Sequence, residues 1–347
     1  MRLLRIAPVG LLVVAVGLAG STSLVALAPA DSPLIDAVRR GALDAVRGIL
    51  DETDNVDVRM GDGSTALQWA VHEQRPEMVD LLLEAGADVT SANRHGVSPV
   101  WLAAENGDAP MLQRLLDAGA DANRTMPGGE TVLMTAARTG DPDAVRVLLL
   151  RGADPNAREA LRGQTALMWA AAKNNAAVVH ALAELGADIN ARTDNPPPGR
   201  GRTFASLPAT GFTPLLFAVR SGHFETTTVL LDAGADINDA VSDGQSALVI
   251  AAANANWELA AYLLDRGADP NHAGAGWNAL HQAVRTRRMN VGFGTPGPFA
   301  SGTLDSIDFI RRLLADGVEV NTRMTRNGMR DGQRNRFNRL GATRGNK

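Results

Sequence analysis

His72-Glu73 opens as a zinc-protease helix does, with a metal-binding histidine and a glutamate placed to act as general base. Pro76, however, stands where the second ligating histidine would have to be. The six histidines, His72, His95, His180, His223, His272 and His281, fall in separate stretches without ligand spacing. A packing or surface role is therefore expected of each. Gly292-x-Gly294 neither follows a strand nor opens a helix, which leaves a phosphate cradle unsupported. No serine lies in a nucleophile-elbow pattern. With no cysteine in the chain, disulfides, thiolate metal sites and a cysteine nucleophile are ruled out. The expectation is no catalytic residue, no metal site, no cofactor and no enzyme activity.

The elements that would position any site are most legible from Gly211 to Asn238, GFTPLLFAVRSGHFETTTVLLDAGADIN. Thr213 is placed to cap a short helix, accepting a hydrogen bond from an N-terminal amide. Pro214 at the first helical position gives up an N–H that would have had no partner. Gly222 turns the chain, a second helix runs to Leu231, and Gly234 stops it, since glycine takes the left-handed conformation freely. Helix starts recur at Ser32, Thr65, Ser98, Thr131, Thr165, Thr213, Ser246 and Asn278, spaced by 33, 33, 33, 34, 48, 33 and 32 residues. One period dominates, so eight repeats are expected. In the fourth, Asp141 and Pro142 open the second helix and Val145, Leu148 and Leu149 form its buried stripe.

Thr213, Pro214, Leu215 and Ala218, with Gly234 to Asn238, carry the T-P-L-x-x-A and G-A-D-x-N signatures, and the chain resembles the ankyrin repeat family. The resemblance implies an all-α fold, an ankyrin-repeat solenoid of about eight helix-turn-helix repeats with short β-hairpin loops. It covers about residues 32 to 321 and makes His223 and His281 structural. It also implies a concave face built from hairpin tips and first helices. The two residues after the Ala-Ala position then point into that groove: His72-Glu73, Glu105-Asn106, Arg138-Thr139, Ala172-Lys173, Arg220-Ser221, Ala253-Asn254 and Arg285-Thr286. The early pairs lean acidic, and from Arg138 onward most carry a positive charge. Such polarity would orient a charged partner. Trp69 and Trp169 share one first-helix position and Trp101 lies one residue earlier in its own; packing is expected of them, although tryptophan also anchors interfaces.

The remaining features bound the setting. Residues 1–30 read as an export signal, with Arg2 and Arg5 before the apolar run Val9 to Ala19 and cleavage expected after Ala30. The rival is an uncleaved membrane anchor over residues 6–27. The repeat array is assigned to 31–321, with insertions at 191–210 and 286–303 that lengthen loops and offer binding surface. Only Lys173 and Lys347 are lysines, a bias attributable to coding composition. Residues 31–321 hold 24 basic and 37 acidic side chains, whereas 322–347 hold eight basic and one acidic. Gly341-Ala342-Thr343 looks like the hairpin exit of a ninth repeat, so the end is expected to be truncated or frameshifted, leaving the eighth repeat's outer face uncapped unless the basic segment covers it. The function expected is noncatalytic binding of a partner protein through the concave face of an exported periplasmic or secreted chain, without a small-molecule substrate. The alternative is binding of nucleic acid or an anionic surface by the Arg-rich end, against which the acidic body and Phe337 as its sole aromatic both weigh.

Overall fold

The computed structural model describes residues 32–194, 210–273, 277–288 and 302–322. The expected leader, most of both insertions and the Arg-rich segment beyond Thr322 lie outside the described residues. Sixteen helices follow one another among the described residues, in eight pairs. They are Pro33–Arg40 with Leu43–Glu52, Ala66–His72 with Pro76–Glu84, Pro99–Asn106 with Ala109–Asp117, and Val132–Thr139 with Pro142–Leu150. Ala166–Ala172 with Ala176–Glu184, Pro214–Ser221 with Phe224–Asp232, Ala247–Ala253 with Trp257–Asp265, and Ala279–Arg288 with Ser306–Ala315 complete the array. The last first helix runs to Arg288, into the stretch assigned to the second insertion. No helix among the described residues is long and apolar enough to cross a membrane.

Local chemistry sets the helix ends. Thr65 Oγ1 accepts from the Gln68 amide at 3.4 Å while Gln68 Oε1 accepts from the Thr65 amide at 2.7 Å, a reciprocal cap. Thr131, Thr213 and Ser246 accept the corresponding amide in their own repeats. Ser98 and Thr165 do not: their hydroxyls are buried without a hydrogen-bond partner, and only their extended backbone follows the cap pattern. Asp141 caps its second helix through the amides of Asp143 and Ala144, at 2.8 and 3.0 Å. Of the stripe expected beyond it, Val145 and Leu148 are fully buried, whereas Leu149 is only half-buried. The turn between helices demands a left-handed residue in nearly every repeat. Gly41, Gly107, Gly140 and Gly222 supply it, but Gln74, Asn174 and Ala255 hold φ of 53°, 63° and 58° at the same place. Packing of neighbouring repeats thus imposes the turn even where the side chain opposes it.

Small residues bring the first helices together. Ala37, Ala70, Ala103, Ala136, Ala170, Ala218, Ala251 and Ala283 occupy one position of the repeat and are all fully buried. The second helices supply the larger core side chains, including Leu82, Leu115, Leu148, Leu182, Leu230 and Leu263. First helices meet in an unbroken row and pack more closely than second helices do. Hairpin tips line up beside them: the amides of Arg94, Ala160, Asp194 and Ser242 donate to Asp62, Gly128, Arg162 and Thr210 carbonyls of the preceding tip. Among the described residues no strand forms, and the loops hold single bridges such as Thr125 to Thr131 and Ala240 to Ser246.

A second row of bonds ties the repeats at the G-A-D-x-N signature. Asn123 donates to Gly152 O at 2.8 Å and accepts from Asp154 N at 2.8 Å. Asn156 does the same with Gly186 O at 3.1 Å and Asp188 N at 2.7 Å. Asn190 accepts from Asp236 N at 3.2 Å, so the row crosses the first insertion without losing register. In the degenerate first repeat Asp57 replaces Asn and serves only as acceptor, for Asp88 N at 3.0 Å. Asn156→Ala is expected to lower stability by about 1–2 kcal/mol, the net value of two modest hydrogen bonds. Asn156→Asp, which keeps the acceptor, is expected to cost less, as urea unfolding followed by circular dichroism would show.

Candidate partner-binding face

The C-terminal turns of the first helices and the hairpin tips share one surface. His72, Glu73, Glu105, Asn106, Thr139, Lys173, Arg220, Ser221 and Arg285 are exposed there, and Arg138 and Asn254 are half-buried. Several already have internal partners. Asn106 Nδ2 donates to Val71 O at 3.2 Å, Thr139 Oγ1 to Ala136 O at 2.8 Å, and Asn254 Nδ2 to Ile250 O at 2.9 Å. Thr286, paired with Arg285 in sequence, is buried and donates to Gln282 O at 2.7 Å. The charged members are left as the groups with side chains available to an incoming partner.

The arginines share an arrangement that the paired positions alone do not reveal. Arg138 lies over the ring of Trp169 in the next repeat, its Cζ 6.0 Å from the centroid. Arg39 lies over Trp69 in the same one-repeat relation, at 4.7 Å. Arg220 covers two rings, Phe212 at 4.8 Å and Phe217 at 5.1 Å, and Arg285 covers Trp277 at 5.5 Å. A guanidinium held flat on an aromatic face keeps its edge N–H groups free for a planar anion. Trp101 is buried, as packing requires, while Trp69 and Trp169 are half-buried platforms beneath arginines. Phe212, Phe217, Trp277 and Arg39 were missed in sequence; the recurrence of Trp69, Trp169 and Phe217 at one repeat position was the available signal.

The electrostatics differ along the face. Glu73 lies 3.8 Å from Arg75, and Arg138 lies 3.9 Å from Glu130. Among the described residues no carboxylate pairs with Arg220, Arg285, Arg162 or Lys173. Partial desolvation, and then the nearby charge of Arg162, pull Arg220 below the ordinary arginine range. Near the other end, a pocket of about 150 Å³ is lined by Gln68, Trp69, His72 and Asn93 among others. His72 meets the Trp69 ring edge-on at 5.8 Å, a packing role. His223 Nε2 lies 3.2 Å from Ala172 O, and His281 Nδ1 2.6 Å from Asn278 Oδ1, both structural contacts. No cluster of metal-ligating side chains occurs among the described residues.

With helix pairs, turn positions and inter-repeat bonds established, the comparisons agree on the family. The family described as Ankyrin repeats (3 copies) matches residues 14–93, 96–193 and 215–292, and Ankyrin repeats (many copies) matches 167–231. This chain belongs to the ankyrin repeat family. It is 34% identical over 76 residues to the human Notch-regulated ankyrin repeat-containing protein, covering 21% of this chain and 67% of that one. It is 36% identical over 75 residues to the mouse RelA-associated inhibitor, covering 22% of this chain but only 9% of that protein. The human ASB11 ankyrin repeat domain superposes with a TM-score of 0.57 at 25% identity, over 69% of this chain and all of that domain. The ankyrin repeat domain of Bcl-3, a member of the IkappaB family, gives 0.55 at 28%, over 64% and 94%.

At one tip of the face, Asp62 accepts from Ser64 N at 2.9 Å and Ser64 Oγ at 2.8 Å. The backbone bond above all holds its carboxyl below the ordinary range of 3.8. A depressed folded value means the stabilisation is full above the unfolded value and lost as pH falls through the folded one. Asp62→Ala is therefore expected to lower the melting temperature at neutral pH, with the gap to the parent chain closing as the pH falls below the ordinary aspartate value of about 3.9. A calorimetric pH series on both chains checks this.

Proposed function

We propose that this chain is an exported, noncatalytic scaffold that binds a partner protein through the concave face of its repeat array. The observation that carries the reading is the row of side chains on successive first helices, with Arg220 and Arg285 stacked on rings and paired with no carboxylate among the described residues. A residue needed for packing alone would not recur as an exposed charge on one face. The relatives support the reading in kind: one is described as associated with RelA, another as a member of the IkappaB family. Export rests on the basic, apolar and small-residue order of residues 1–30, and points to a periplasmic or secreted partner. An interface of standard size, about 800 Å² on each side, fits such a face.

The test is affinity capture from the exported fraction of the native cell with the chain from Asp31 onward. A parallel copy carries glutamate at Arg138, Lys173 and Arg220, with equal folding confirmed by circular dichroism. A defined protein retained by the first and lost by the second is the expected result. Material that comes down with both and leaves as salt is raised would instead favour the Arg-rich end as an anionic-surface or nucleic-acid binder, and the groove assignment would fall.

A further inference from the structure

We infer that the middle of this face, from Arg138 to Arg220, is a receptor for an extended acidic segment of the partner, with one carboxylate at each successive repeat. The inference rests on the face being the partner-binding one and goes on to name what it recognises.

Three consecutive repeats each present a cation at the end of the first helix: Arg138, Lys173 and Arg220. Two are arginines lying over aromatic rings, which orients each cation; Arg138 also has Glu130 at 3.9 Å, whereas Arg220 pairs with no carboxylate among the described residues. Arg220 is the best formed. It sits on Phe212 and Phe217, and its neighbour is another cation, Arg162, rather than an acid. Arg162 is itself held by the preceding hairpin tip, where the Glu159 carboxylate accepts its amide at 2.7 Å together with those of Leu161 and Gln164. The like charges of Arg162 and Arg220 repel one another, and neither pairs with a carboxylate among the described residues. A carboxylate removes that repulsion and takes charge-assisted hydrogen bonds from both.

Spacing selects an extended peptide. Packed helices lie about 8–10 Å apart, and an extended chain advances about 3.3 Å per residue. A strand crossing the first helices therefore meets a new cation at about every third residue. Ala253-Asn254 of the next repeat bears no charge, so the cationic run ends there before Arg285. The early repeats, with Glu73 and Glu105, reject an acidic segment and so set its direction and limit.

The experiment uses the full chain and a fluorescein-labelled Gly/Ser peptide with Glu at every third position, over about nine residues. Fluorescence anisotropy at fixed ionic strength is expected to show saturable binding. A peptide with the same three Glu placed side by side is expected to bind at least about fivefold more weakly, because only one or two can be engaged at once. Arg220→Gln is expected to weaken the spaced peptide about tenfold, and Arg220→Lys to restore little of it, since an ammonium lacks the stacked fork. Arg114→Gln, in the outer layer where it pairs with Asp80, is expected to leave binding unchanged. Equal affinity for the two peptides, or an unchanged affinity in a folded Arg220→Gln chain, overturns the inference. A single-stranded oligonucleotide that bound more tightly than the spaced peptide and was equally sensitive to Arg220→Gln would overturn it in favour of nucleic acid. If a partner protein is captured through the groove while the acidic peptide fails, the inference alone is lost. If the peptide binds while no protein is captured, the scaffold reading fails independently.

Discussion

The array depends on one recurrent constraint: each repeat must present the next with the same donors and acceptors at the same height. A helix pair of this length cannot bury both of its apolar faces alone, so every unit relies on its neighbours. The asparagine row and the hairpin-tip amides meet the demand together. Asn190 reaching Asp236 shows how tightly, because an insertion intervenes and the bond persists. The insertion leaves and re-enters within one hairpin, closed by Thr193 N donating to Phe212 O at 2.9 Å. Loop growth is thus confined to places where the register can be recovered, which is also why a long surface loop costs the array little.

The same constraint separates positions that are fixed from positions that are free. The buried alanine of each first helix admits no larger side chain without pushing two helices apart, and overpacking of that kind is itself destabilising. Two residues further along, the sequence reads Arg39, His72, Glu105, Arg138, Ala172, Arg220, Ala253 and Arg285 in successive repeats. Nothing in the packing chooses among those. Variation there, within a frame that tolerates none a turn earlier, is the physical reason that a scaffold of repeated units can carry a specific surface.

Much of the frame was legible because its determinants are local. Thr213, Pro214, Gly222 and Gly234 act on amides and dihedral angles within a few residues of themselves, and the helix bounds around them follow the sequence closely. Ser98 and Thr165 show the limit, since the same letters stand there without a side-chain bond. The face was less legible because its determinants lie a repeat apart. Arg138 and Trp169 meet only once helices are stacked, and Phe212 meets Arg220 from the far end of its helix. Asn106, Thr139 and Asn254 look like free polar groups in sequence, yet each is turned onto a backbone carbonyl. Helix ends leave such carbonyls unsatisfied, and a short polar side chain nearby is drawn to them.

Charge adds a final step. The body from residue 31 to 321 is acidic overall, with 37 carboxylates against 24 basic side chains, and five of its arginines form ion pairs between neighbouring second helices. Arg114 with Asp80, Arg151 with Asp117 and Arg266 with Asp232 link one repeat to the next on the outer layer. Arg220 and Arg285 in the first-helix layer are treated differently, resting on rings instead of carboxylates. An ion pair would have neutralised them and fixed their edges inward, whereas an aromatic platform orients the cation and leaves its charge facing out. Net charge therefore describes this chain poorly. An acidic protein holds cations such as Arg220 and Arg285 on its inner face while carboxylates such as Asp80, Asp117 and Asp232 are paired in the outer layer, and that division gives this stretch of the inner face a sign of its own.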